Sequence, residues 1–184
     1  MSFLNVPNAL TVLRLLAVPV FVALFLSSRP GAALAVFIGA MLTDWLDGVA
    51  ARVLKQFTKI GAMLDPVADK LLGVSALALL CGTHRLPVWM LYLLLFRETC
   101  IAAAIAILTR TGRSYAIRPT RFGKYATFFL TATIIFALVQ GARDVGLGPV
   151  EIALALVAAQ CIFVSWAQYL AIFIDLMRRP PQPA

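Results

Sequence analysis

The chain is predicted to be an all-α integral membrane protein, a single-domain bundle of six transmembrane helices, on the strength of three observations. Of its 184 residues 62% are hydrophobic and 13% charged, and the mean hydropathy is +0.93, which leaves too little polar surface for a water-soluble domain. The apolar residues gather into six stretches, each near the roughly 20 residues that cross a bilayer as a helix. Only short polar or Gly/Pro-rich breaks separate them, with no room for a soluble module.

The first span is expected at 9–27. Ahead of it, Met1 to Pro7 is too short to cross and is read as lying along the interface, with Phe3, Leu4 and Val6 toward the acyl region. No basic run or A-x-A site precedes Asn8, so this span is expected to be retained. The break Ser27-Ser28-Arg29-Pro30-Gly31 ends it, and a second span follows at 31–53. Lys55 to Lys59 leads into a third span at 61–81, which Gly82-Thr83-His84-Arg85 closes. The fourth is expected at 86–109, the fifth at 120–141 after the basic stretch Arg110 to Arg118, and the sixth at 149–177 after Gly141 to Gly148. The tail from Arg178 to Ala184 is proline-rich and expected to be disordered.

Lysine and arginine set the orientation. With the N-terminus in the cytoplasm, that side collects Arg14, Arg52, Lys55, Lys59, Lys70, Arg110, Arg113, Arg118, Arg121, Lys124, Arg178 and Arg179. The other side keeps Arg29, Arg85 and Arg143, with Arg97 inside the fourth span. Both termini are therefore expected inside, in a cell inner (cytoplasmic) membrane. The net charge of +8 then reflects topology and anionic headgroups rather than nucleic acid, since no soluble basic fold is available to hold a duplex. Cys81, Cys100 and Cys161 stand singly in apolar stretches and read as packing residues, and His84 reads as solvent-facing.

Against this apolar background stand Asp44, Asp47, Gly48, Ala51, Arg52, Gly61, Asp65 and Asp69, which spell D-x2-D-G-x2-A-R-x8-G-x3-D-x3-D. Charge within a membrane is costly unless metal, water or a partner compensates it. Asp44 and Asp47 are three apart and Asp65 and Asp69 four apart, so each pair shares a helical face. Antiparallel helices joined by a short loop can bring all four carboxylates to one cavity on the cytoplasmic side. Oxygen-only ligands suit magnesium, manganese or calcium better than zinc. Gly48 and Gly61 keep the surface beside these acids low, so that a nucleotide or sugar can approach the backbone. Arg52 can grip a phosphate through two parallel hydrogen bonds, and Thr43 offers a hydroxyl. The bland alternative is a set of ion pairs with Arg52, Lys55, Lys59 and Lys70 at a membrane edge.

The eight positions resemble the signature of the CDP-alcohol phosphatidyltransferase family, and all of them match without a gap. The resemblance implies a CDP-linked lipid donor, a pair of divalent ions (Mg2+ or Mn2+), and transfer of a phosphatidyl group to an alcohol with release of CMP. Carried over residue by residue, it makes Asp44, Asp47, Asp65 and Asp69 metal ligands, and Asp69 also the general base for the acceptor hydroxyl. Thr43, Asp47, Gly48, Ala51, Arg52, Gly61 and Asp65 are read as holding the CDP moiety. A homodimer is also implied.

The acceptor is read from looser echoes. The stretch Asn5 to Phe21 is similar to the N-P-N-x-L-T-x-x-R-x-x-x-x-P opening of the phosphatidylglycerophosphate synthase and cardiolipin synthase branch, against a plain first span with Asn8 as an interfacial cap. Pro119 to Thr127 is similar to that branch's P-x-x-x-G-K-x-x-T, and Arg97-Glu98 to its Arg-acidic pair. Glycerol 3-phosphate is the expected acceptor, its phosphate drawn to Arg118, Lys124, Arg110 and Arg113 near the cytoplasmic mouth. Those cations equally suit a positive-inside loop that touches lipid headgroups. Where many glycerophosphate enzymes carry a further basic residue two turns after the Arg-acidic pair, this chain has Ala104-Ile105-Ala106. Phosphatidylglycerol as acceptor, giving cardiolipin, stays open. From other classes, an ion-coupled carrier would also use intramembrane acids, and a structural subunit could bind anionic lipid through the basic edge. No inverted repeat supports the carrier.

Overall fold

The computed structural model describes residues 6–54, 59–111, 120–143 and 148–178, with side chains described for 12–43, 68, 70–111, 120–143 and 148–178. Every element among them is a helix: α1 (Val6–Leu26), α2 (Pro30–Leu54), α3 (Lys59–Gly82), α4 (Val88–Arg110), α5 (Arg121–Ala142) and α6 (Pro149–Arg178). Each expected span lies within or close to one of them. Helices α4, α5 and α6 are each long and apolar enough to cross a membrane. Large apolar side chains such as Tyr92 (67% exposed) and Phe128 (66%) face outward, a surface that suits lipid and not water.

The start of α1 differs from expectation. Val6 and Pro7 belong to the helix, so they do not form a separate interfacial segment, and Asn8 lies within the first turn instead of capping it. A proline costs nothing in a first turn, where its missing N–H has no partner to lose. Residues 1–5, including Phe3 and Leu4, lie outside the described residues.

Local chemistry explains the helix ends. At the end of α1 the Arg29 N–H donates to the Leu24 carbonyl (3.1 Å) and the Ser28 N–H to that of Phe25 (3.1 Å), while Ser28 takes φ 56°. The end of α3 repeats this pattern with Arg85 on Leu80 (2.8 Å), His84 on Cys81 (3.0 Å) and His84 at φ 56°. Both are Schellman ends, which satisfy carbonyls that the helix leaves open. Thr120 caps α5 by accepting the Gly123 N–H at 3.0 Å. At α6, Glu151 reaches back to accept the Gly148 N–H at 2.9 Å, ahead of Pro149 in the first turn.

The chain divides into two compact units, 1–86 with 134–147, and 87–133 with 148–184; α5 contributes to both. In the first unit α1 packs on α2 and on α3. Phe21, fully buried, meets Phe37 across the α1–α2 seam with ring centroids 5.7 Å apart. Small residues Ala33, Ala40, Ala68 and Ala76 are buried there, letting backbones approach closely. In the second unit α4 packs on α6, with Phe96 against Trp166 at 5.6 Å.

Candidate active site

The signature divides between two consecutive helices of the first unit. Asp44, Asp47, Gly48, Ala51 and Arg52 fall in the last turns of α2, and Gly61, Asp65 and Asp69 in the first turns of α3. Only the backbone placement of these eight is described; their side chains lie outside the described residues. At about 1.5 Å per residue, Asp47 and Asp44 stand about 10 and 15 Å back from the end of α2, and Asp65 and Asp69 about 9 and 15 Å along α3. Antiparallel packing of the two helices, as expected from sequence, would bring the two pairs to matching depths. Thr43, half-buried, donates its hydroxyl to the Ala40 carbonyl at 2.7 Å, so its oxygen remains an acceptor only.

The fit of a hard divalent cation to this place rests on donor chemistry. Four aspartates fall on two consecutive helices, with no histidine on either helix. That oxygen set suits magnesium or manganese. Among the described side chains no group of three or more His, Cys, Asp or Glu comes together elsewhere.

Two of the four expected acceptor-phosphate residues are described. Arg110 ends α4 and Lys124 lies in the first turn of α5, both exposed, while Arg113 and Arg118 lie outside the described residues. The cation that the second unit buries is Arg97, 8% exposed, which sequence reasoning noted only as half of a motif pair. Its Nη1 donates to Glu98 Oε1 at 2.6 Å and its Nη2 to the Ser165 hydroxyl of α6 at 3.2 Å. Tyr169, also on α6, presents its ring 5.9 Å from the guanidinium carbon, and the buried Nε has no acceptor. A Cβ on Gly123 of α5 would lie 3.3 Å from both Arg97 Nη2 and Ser165 Oγ and 3.0 Å from Thr120 Oγ1. Gly123 of the fifth span thus sits at a three-helix polar joint, and Lys124 follows it in the chain with its side chain exposed. Beyond Tyr169, a groove of ≈ 230 Å³ runs between α4 and α6, lined by apolar groups including Ala104, Ile107, Trp166 and Phe173.

A second cation was also missed as a site residue. Arg14, placed by sequence among the cytoplasmic-side charges, is 1% exposed within the first unit. The available signal was a lone arginine in the apolar run Leu10 to Val18.

Comparison with known proteins identifies the family. The family model described as CDP-alcohol phosphatidyltransferase matches residues 4–174. A Cereibacter sphaeroides CDP-diacylglycerol--glycerol-3-phosphate 3-phosphatidyltransferase is 41% identical over 130 residues, 67% of this chain and 58% of that protein. A Mycobacterium bovis protein with a provisional cardiolipin synthase name is 39% identical over 128 residues, 68% of this chain and 60% of its own. The chain thus spans less than two thirds of the length of these two relatives. A Shigella flexneri protein named as the first one is 34% identical over 174 residues, 91% of this chain and 93% of its own. The family match over nearly the whole sequence leads to one conclusion: this chain belongs to the CDP-alcohol phosphatidyltransferase family.

Proposed function

We propose that the protein makes phospholipid by transferring the phosphatidyl group of CDP-diacylglycerol to glycerol 3-phosphate, giving phosphatidylglycerophosphate and CMP. The observation that carries this reading is the complete eight-residue signature split between the adjoining ends of α2 and α3, in a chain that matches 93% of the length of a relative so named. The acceptor hydroxyl oxygen forms a new bond to the phosphorus of the phosphatidyl group, and the bond from that phosphorus to the CMP oxygen breaks. Asp69 takes the hydroxyl proton; its worth lies in placement more than in basicity. Thr43, Asp47, Gly48, Ala51, Arg52, Gly61 and Asp65 hold and orient the CDP moiety, so that little more than positioning is asked of the protein. Asp44, Asp47, Asp65 and Asp69 are the residues to hold a pair of Mg2+ or Mn2+ ions, which supply charge compensation for the pyrophosphate and the leaving phosphate.

The same reading makes the chain one domain with six spans in the inner membrane, termini and active site on the cytoplasmic side, assembled as a homodimer. Lys124 is the candidate to receive the acceptor phosphate, with Arg110, Arg113 and Arg118 as further cations. Phosphatidylglycerol as acceptor is the second reading, favoured by the apolar groove between α4 and α6, by the Mycobacterium relative and by the apolar Ala104-Ile105-Ala106.

Purified protein given CDP-diacylglycerol and Mg2+ is expected to release CMP with glycerol 3-phosphate and not with phosphatidylglycerol; the reverse preference replaces the first reading by the second. Asp69→Asn is expected to lower CMP release at least about 100-fold while donor binding persists. A carrier or a structural lipid-binding subunit forms no CMP with either acceptor.

A further inference from the structure

We infer that Arg14 is the permanent counter-charge of the aspartate site, a positioning residue that holds part of the carboxylates' charge in balance and so sets how tightly divalent ions bind. The inference rests on the reading of Asp44, Asp47, Asp65 and Asp69 as the metal ligands and adds a residue from a third helix.

Arg14 is among the largest fully buried side chains, 1% exposed, on a helix that packs against α2 and α3. A guanidinium keeps its charge, and enclosing it in an apolar bundle without a nearby anion costs several kcal/mol on the usual scale. The helices α1, α2 and α3 carry no acids except Asp44, Asp47, Asp65 and Asp69. The remaining acid of that unit, Asp144, follows α5 and lies outside the described residues.

The register of the α1–α2 seam points to the same place. Phe21 and Phe37 meet across it at 5.7 Å. In antiparallel helices, stepping seven residues back on one and seven forward on the other moves two turns in the same direction along the seam and returns to nearly the same face. From Phe21 that step reaches Arg14, and from Phe37 it reaches Asp44. Counted from the Ser27–Arg29 connection at about 1.5 Å per residue, Arg14 lies about 18 Å from the end of α1 and Asp44 about 21 Å from the start of α2. Asp69 matches Asp44 in depth from the other end. A fixed cation thus stands level with the inner pair of the quartet, where it eases the repulsion of four like charges before metal arrives and competes with metal afterwards.

The test is Mn2+ binding to purified protein without nucleotide or lipid donor, followed by electron paramagnetic resonance of the free ion, with thermal unfolding in parallel. Arg14→Gln is expected to tighten Mn2+ binding by about tenfold and to lower the metal-free unfolding midpoint, with Mn2+ restoring a larger shift than in the wild type. Arg14→Lys keeps the charge and is expected to bind Mn2+ within about twofold of the wild type. Unchanged affinity in Arg14→Gln overturns the inference, as does an equal change in both variants, which would mean shape and not charge. Loss of CMP binding with unaltered Mn2+ affinity also overturns it and makes Arg14 a donor ligand instead. Should Arg14→Gln not fold, Asp44→Asn is added to it: recovery of folded protein supports the charge balance, and failure to recover overturns it. Wild-type protein that binds no Mn2+ refutes the underlying metal-site reading, an outcome distinct from all of these.

Discussion

Gly123 occupies a position where the space for a side chain is already taken by three polar groups from three places in the chain. Added at that position, a methyl group would meet the Thr120 hydroxyl at 3.0 Å and the Arg97 and Ser165 polar atoms at 3.3 Å. None of the three can retreat freely. Thr120 is held by the Gly123 N–H it accepts, and Arg97 by its bonds to Glu98 and Ser165. Gly123→Ala is therefore expected to destabilise the protein by about 1–3 kcal/mol, the usual cost of overfilling a packed site. Thermal unfolding in detergent measures it, and an unchanged midpoint would show that α5 does not approach the Arg97–Ser165 pair this closely. The sequence marked Gly123-Lys124 only as part of a motif, because nothing in a linear pattern says that a glycine faces an arginine 26 positions earlier and a serine 42 positions later.

At the level of elements, the two Schellman ends share an unusual choice of residue. The left-handed position that such an end requires is normally glycine, whose missing Cβ avoids a clash worth roughly 1–2 kcal/mol. Here Ser28 and His84 fill it. His84→Gly is expected to raise stability by about 1 kcal/mol, the relief of that clash less the greater freedom glycine gives the unfolded chain. Ser28→Gly should move in the same direction, and a fall in unfolding midpoint for both would show that the side chains hold these turns together. The breaks themselves were legible: Ser27 to Gly31 and Gly82 to Arg85 interrupt long apolar runs with turn-forming residues, and the helices stop there. The residue that turns the chain was not. Gly31 lies inside α2 and Gly82 ends α3, while Ser28 and His84 take the left-handed turn. The entry to α1 also differs from the interfacial segment expected for Met1 to Pro7, since Val6 and Pro7 already belong to the helix, where a proline in the first turn is harmless.

For the molecule as a whole, the family was legible because its aspartate signature has fixed spacing, whereas the burial of Arg14 and Arg97 was not, because burial of a cation is decided by which helices surround it. Both had been read as charges on a topology map and as members of looser motif echoes. That map makes a prediction of its own. With the buried Arg14 and Arg97 removed from the tally, the expected topology still assigns Arg110, Arg121, Lys124 and Arg178 to one side and Arg29, Arg85 and Arg143 to the other. Translocating a cluster of cations is opposed far more than translocating one, so the clustered side is the one expected in the cytoplasm. A green fluorescent protein fused after Ala184 is expected to fluoresce, and alkaline phosphatase inserted after His84 to be active. Phosphatase activity at the C-terminus with silence at His84 would invert the orientation and carry the aspartates to the outer face. There the cytoplasmic pool of glycerol 3-phosphate could not reach them, so the same two fusions that fix the topology also bear on which acceptor the enzyme can meet.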